Sequence, residues 1–283
     1  MIQVWRILRF SLVTADAARL GAFYQAAFGC EQRSAGRASR LDGGAIQVSL
    51  ALGCETVELL QYDIPGAAYP PAIRACDLRF QHLAIVVSDM AQVWQHLRTL
   101  DGWSPITVGA PQTLPASSGG VTAFKFRDPE GHPLELLEFP ASHVPPKWQG
   151  IHAAAPGLGI DHSAISVSNI AASVDFYESL GLKKRPDSDN HGPSQGALDG
   201  LDHSRVAVTP LMAADAGPHL ELLCYRDVAA APPMAWNDIA CTKIIFEGDC
   251  GAPHALTDPD GHHSIVVPAS QKSFPTSAFG ATT

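Results

Sequence analysis

The sequence predicts an α+β chain assembled from four βαβββ-like units, and three recurring features predict it. A strand with alternate apolar positions, closed by Asp or Asn, occurs as QHLAIVVSD (81–89) and again as DHSAISVSN (161–169). A shorter apolar strand occurs three times, as VELLQY (57–62), LELLEF (134–139) and LELLCY (220–225). The turn DPEGH (128–132) returns as DPDGH (258–262). Self-similarity at a period of tens of residues marks a repeated supersecondary unit.

The first unit, near 6–62, opens with LRFSLVTAD (8–16) and continues into a helix carrying Leu20, Phe23, Tyr24, Ala27 and Phe28, which stops at Gly29. The second, near 78–139, has its helix over 90–100, with Val93, Trp94, Leu97 and Leu100 on one face. The third, near 158–226, has its helix over 170–180, with Ile170, Val174, Tyr177 and Leu180, and Gly181 as its stop. Asp89 and Asn169 are suited to cap the helices that follow them. The fourth, near 236–267, keeps CTKIIFEG (241–248) as a first strand, but too few residues follow for a helix, so the helix is lost. Asp-Pro-x-Gly is a type I turn signature, because Pro fixes φ at the second position and Gly ends the turn. Pro-rich stretches at 65–72, 140–150 and 231–233 separate the units. Residues 141–157 read as a linker between a first domain (1–140) and a second (158–268), with 269–283 as a frayed tail.

Composition narrows the classes. The 283 residues are 46% hydrophobic and 17% charged, which disfavours a disordered chain and suits two modest domains. Nineteen Lys and Arg against 28 Asp and Glu give a net charge of −9, so nucleic acid is not an expected partner. The sequence has no apolar run of about 18 residues. Arg6 and Arg9 interrupt the start where a signal peptide would need its apolar core. The expectation is a cytoplasmic protein without membrane contact, its six cysteines reduced, since none form a CxxC pair.

The HxxIxV strand, the FYxxLGL helix end (Phe176 to Leu182), the DPxGH turn and the four-unit layout resemble the vicinal oxygen chelate superfamily. That group contains glyoxalase I, extradiol dioxygenases and the bleomycin resistance proteins. The resemblance implies that units pair into cup-shaped, incomplete β-barrels around a divalent metal (Zn, Ni, Mn or Fe) and act on a small molecule with adjacent oxygens, in a chain that can form a homodimer. It implies ligands on the first strand and last strand of a unit: His82 with Glu135, and His162 with Glu221. Unit one offers Arg9 and Glu58 at these positions, and unit four Cys241 and Ile265.

Period-two alternation supports this placement, because it sets His82, Ala84 and Val86 on one strand face and Leu83, Ile85 and Val87 on the other. The aliphatic face takes a helix and the histidine face lines the cup. Sequential pairing of units would divide the candidates into Arg9, Glu58, His82 and Glu135 in one cup and His162, Glu221, Cys241 and Ile265 in the other. Neither set holds the two-His, one-carboxylate triad of a ring-cleaving iron enzyme, which disfavours that activity. Pairing of units two and three would instead unite His82, Glu135, His162 and Glu221, but the prolines at 140–157 argue for a boundary there. In the sequential arrangement His162, Glu221 and Cys241 form a three-ligand site with His263 as a substitute ligand, Arg9 pairs with Glu58, and His191 reaches a ligand from its Gly/Pro loop. The leading expectation is a metal-dependent lyase, isomerase or hydrolase with Glu221 or Glu135 as the base. The alternative is a metal-free small-molecule binder of the resistance-protein kind.

Overall fold

A computed structural model of the chain describes residues 2–38, 44–151, 155–231 and 233–269. The tail predicted beyond Ala269 lies outside the described residues. Unit one contains β1 (Gln3–Val13), α1 (Ala17–Phe28), β2 (Glu31–Arg37), β3 (Ala45–Leu52) and β4 (Glu55–Tyr62). Unit two contains β5 (Gln81–Val87), α2 (Met90–Leu97), β6 (Ser104–Pro105), β7 (Gln112–Thr113), β8 (Thr122–Arg127) and β9 (Pro133–Glu138). Unit three contains β10 (Gly157–Ser166), α3 (Ile170–Ser179), β11 (Lys183–Lys184), β12 (Ser188–His191), α4 (Pro193–Asp199), β13 (Arg205–Met212) and β14 (His219–Tyr225). Unit four contains β15 (Lys243–Asp249), β16 (His254–Thr257) and β17 (His263–Pro268), with no helix between β15 and β16.

The local signals act as their chemistry requires. Asp16, Asp89 and Asn169 each accept backbone N–H bonds from the first turn of α1, α2 and α3. Gly29 ends α1 in the left-handed region at φ 74°, where a Cβ would be strained. The element missed from the sequence is α4, opened by Gly192 and Pro193 and closed by Gly200.

The sheets join the units differently from the sequential expectation. One sheet runs β16-β17-β15-β1-β4-β3-β2 and so pairs unit one with unit four. The other runs β11-β13-β14-β10-β5-β9-β8-β6 and pairs unit two with unit three. Residues 141–157 are therefore not a boundary between sheets. Trp148 of this segment is buried against Val86 and Leu158 and donates to Asp161 (3.1 Å), while Lys147 bonds Glu55 (2.8 Å). Prolines stiffen a connection, but they carry no information about which strand edges it brings together.

Units adjacent in sequence still meet, back to back. Leu83, Ile85 and Val87 of β5 join Phe10, Leu12, Phe28, Ile165, Tyr177 and Phe246 in one core drawn from both sheets and three helices. The two Asp-Pro-x-Gly-His turns fasten this packing. His132 bonds the Val13 carbonyl (2.9 Å) and Tyr24 donates to Asp128 (3.2 Å); His262 bonds the Ser166 carbonyl (2.9 Å) and Tyr177 donates to Asp258 (3.2 Å).

Candidate metal centre

The site grows from the centre of the ten-stranded sheet. β5 and β10 run antiparallel with Leu83 opposite Ser163, so His82 faces Ala164 and Ala84 faces His162, an arrangement symmetric about that central pair. The flanking parallel strands repeat the symmetry, with Glu135 beside Ala84 and Glu221 beside Ala164. Each half thus contributes one imidazole and one carboxylate to the same concave face. Small alanines between the histidines leave the space into which these side chains turn.

One oxygen or nitrogen atom from each of His82, Glu135 and His162 lies within 4.8 Å of the other two. His82 Nε2 is 2.8 Å from Glu135 Oε2, and His162 Nε2 is 3.6 Å from Glu221 Oε2. The rings of His82 and His162 have centroids 5.7 Å apart. His82 is 2% exposed, yet neither of its ring nitrogens completes a hydrogen bond of acceptable geometry among the described residues. A buried imidazole without such a bond is costly in an apolar setting, and a cation between it and Glu135 would satisfy it. Two imidazoles and two carboxylates are a donor set that suits a first-row divalent metal, so the residues fit one.

A bulge completes the surroundings of His162. The register of β10 slips between Ile160 and His162, which turns Asp161 onto the cup side instead of the opposite face that strict alternation would give. Asp161 Oδ2 lies 3.0 Å from His162 Nδ1, fixing the ring so that Nε2 faces Glu221. His219, two residues before Glu221 on β14, approaches the same carboxylate at 3.4 Å.

Electrostatics separate the two imidazoles. Burial, reinforced by the nearby Lys125 ammonium, holds His82 below its ordinary range, which keeps it in the neutral form that binds metals. Burial opposes a proton on His162 as well, but Glu221, Asp161 and Glu135 outweigh it and push this group up to about 9. For Glu135, burial is outweighed by Lys125 and the histidines, and its carboxyl falls to about 2. Glu221 is likewise lowered, with burial overcome by His162 and His219.

The cavity over this group has a volume of about 170 Å³. Its apolar wall includes Leu114, Leu137, Phe139 and Val208, and its polar wall includes Lys125, Asn190, Gln195 and Tyr225. Lys125 alternates with Phe124 and Phe126 along β8, which leaves the two rings in the core and the ammonium in the cup. It donates to Asp199 of α4 (2.7 Å), which Gln195 (2.8 Å) and Ser204 (2.7 Å) also hold.

The remaining predicted site residues lie elsewhere. Cys241 is not a partner of His162, because it packs with Val13, Tyr69, Ile239 and Ala240 beside the other sheet. The register of β15 against β1 places Lys243, two residues on, where His82 stands in the first site; Arg9, Glu58 and Ile265 take the places of His162, Glu221 and Glu135. His263 belongs to β17 in that second sheet, with Nδ1 3.1 Å from Thr257 and its ring edge-on to Trp236, so it is no substitute ligand for His162. Arg9 pairs with Glu58 at 2.6 Å, and Ser11 and Gln47 bond the same carboxylate. His191 is exposed at the end of β12, where alternation turns Ser188 and Asn190 inward and His191 outward. Asp161, His219, Lys125, Gln195 and Asp199 were not singled out from the sequence. For His219 the signal was there, since a histidine two residues before Glu221 shares its face.

No curated protein sequence matches the chain. Among solved structures, glyoxalase I from Zea mays superposes with a TM-score of 0.60 at 16% identity, covering 93% of this chain and 92% of that one. A candidate dioxygenase from Bacillus subtilis subsp. subtilis str. 168 superposes with a TM-score of 0.58 at 11% identity, covering 95% and 86%. At such identities the likeness establishes the fold. No helix among the described residues is long and apolar enough to cross a membrane. Residues 6–136, which span units one and two, match the model of the Glyoxalase/Bleomycin resistance protein/Dioxygenase superfamily, the vicinal oxygen chelate group that the sequence resembles.

Proposed function

We propose that the protein is a metal-dependent enzyme of the glyoxalase kind, acting on a small substrate with adjacent oxygens as a lyase, isomerase or hydrolase. The observation that carries this reading is the convergence of His82, Glu135 and His162 within 4.8 Å in a buried cup, with Glu221 beside them. These four residues would hold a divalent metal, which when bound supplies Lewis-acid polarisation of the substrate oxygens. Glu135 and Glu221 face each other across the histidines, and either carboxylate can carry a proton to or from a carbon held between them. Leu114, Leu137 and Phe139 give the cup an apolar wall against which the carbon skeleton of such a substrate can pack. At 170 Å³ the cavity falls below the range of about 300–1,000 Å³ of drug-sized sites, which favours a small substrate.

The ground for disfavouring ring cleavage was sequential pairing. With units two and three sharing a sheet, His82, His162 and Glu135 do compose two histidines and a carboxylate, so oxygen chemistry is the second reading. Elemental analysis of purified protein separates the readings. Stoichiometric Zn, Ni or Mn, with turnover that needs no oxygen, supports the first. Iron with oxygen uptake on a catechol supports the second. Protein that binds none of these metals when supplied with each overturns both and leaves the metal-free binder.

A further inference from the structure

We propose that Lys125 and Tyr225 form a carboxylate subsite beside the His/Glu set, so that the substrate is a small acid oxygenated at the carbon next to its carboxylate. This rests on the metal-dependent reading and names the substrate class for the same cup.

The argument begins with unused donors. An ammonium offers three N–H groups, and among the described residues Lys125 makes one hydrogen bond, to Asp199. Lys125 is 4% exposed and lines the cavity on the strand neighbouring Glu135, with Lys125 and Glu135 directly opposite in the β8–β9 register. Tyr225 is also 4% exposed and lines the cavity, and its hydroxyl completes no hydrogen bond among the described residues. Burial, then Asp199, pushes the Tyr225 phenol well above its ordinary range, so it keeps its proton as a donor. Both donors lie by Asp199, whose two oxygens are already engaged by Lys125, Gln195 and Ser204. That carboxylate holds Lys125 and leaves two of its N–H groups, and the Tyr225 hydroxyl, for another acceptor.

The charge pattern points the same way. Among the lining residues Lys125 is the one cation besides the histidines, while Glu135, Glu221 and Asp161 are carboxylates. Lys125 shares its charge with Asp199, and its two remaining N–H groups are the cationic donors of the lining that no carboxylate engages. A carboxylate can take one donor on each oxygen, and its bond to the ammonium is charge-assisted on both sides, as a neutral acceptor's is not.

The test uses wild-type protein loaded with Mn²⁺ and two probes of similar size, lactate and the neutral hydroxyacetone, with binding followed by the change in water-proton relaxation. Lactate is expected to bind at least about ten-fold tighter, the difference made by a hydrogen bond to a charged group. Tyr225→Phe, which keeps the ring, is expected to lower lactate affinity several-fold and leave hydroxyacetone within about two-fold. Lys125→Met combined with Asp199→Asn, which removes both charges together and strands neither, is expected to erase the preference. Mn²⁺ bound with the lactate-to-hydroxyacetone ratio unchanged in both variants overturns the subsite alone. Failure of the wild type to bind Mn²⁺ overturns the metal reading and this inference with it.

Discussion

The two cups set four side chains in matching register and differ in three of them. Where the unit two and three cup carries His82, His162, Glu135 and Glu221, the unit one and four cup carries Lys243, Arg9, Ile265 and Glu58 in matching register. Two cations replace two imidazoles, and an aliphatic residue replaces a carboxylate. The Arg9 guanidinium lies 2.6 Å from Glu58, and the Lys243 ammonium lies 4.8 Å over the Trp236 ring. A dication placed there would meet two fixed positive charges. One cup is thus occupied by its own cations, with Arg9 held on Glu58, while the other sets two imidazoles beside two carboxylates, a donor set that suits a divalent metal.

The largest effect that would break this comparison comes from the ligands. His82→Ala and His162→Ala should each lower divalent metal affinity by more than about 100-fold, beyond the usual loss from an outer-shell partner, while Arg9→Ala leaves metal content unchanged. Elemental analysis of the three variants checks it, and metal retained by both histidine variants would refute the assignment. A sharper version grafts the ligands across with Arg9→His, Lys243→His and Ile265→Glu together. The expected outcome is a rise in bound Ni²⁺ from one to two per chain by calorimetric titration.

A smaller effect is expected from the bulged residue. Asp161→Ala removes the acceptor that fixes His162 Nδ1 and should cost about 10-fold to 100-fold in metal affinity without changing stoichiometry. In the other cup, Arg9→Met should destabilise the fold by only about 1–2 kcal/mol by denaturant unfolding, because Ser11 and Gln47 still bond Glu58 and Arg9 is partly exposed.

The smallest effect concerns the turns that join the cups back to back. Burial opposes the proton on His132, but Asp128 outweighs it and raises this group above its ordinary value of 6.5. A raised folded-state value means that its contribution is complete below about 6.5 and is lost as pH rises through the raised value. Asp128→Asn should therefore flatten the decline of thermal stability above neutral pH, while lowering Tm overall. An unchanged pH profile would show that the pair does not titrate as described.

The residues of the sequence carried the units almost whole. Period-two alternation placed His82 and His162 on the cup face, and caps at Asp89 and Asn169 set where α2 and α3 begin, because these features depend on neighbours a few positions apart. The fourth unit was legible as lacking a helix, although its ligand position was read two residues early at Cys241 in place of Lys243. Without a helix to anchor the alignment, only the β1–β15 register fixes which residue faces Arg9. The same limit hid Asp161, since the bulge that turns it inward exists only once β10 lies against β5. Which units share a sheet was decided by strand edges meeting across long connections, and loop closure costs too little per added residue for length or proline content to reveal it. The sequence by itself thus determined four units and their inward faces. The tertiary structure alone brought two of those faces together as a site and filled the other two with their own charges.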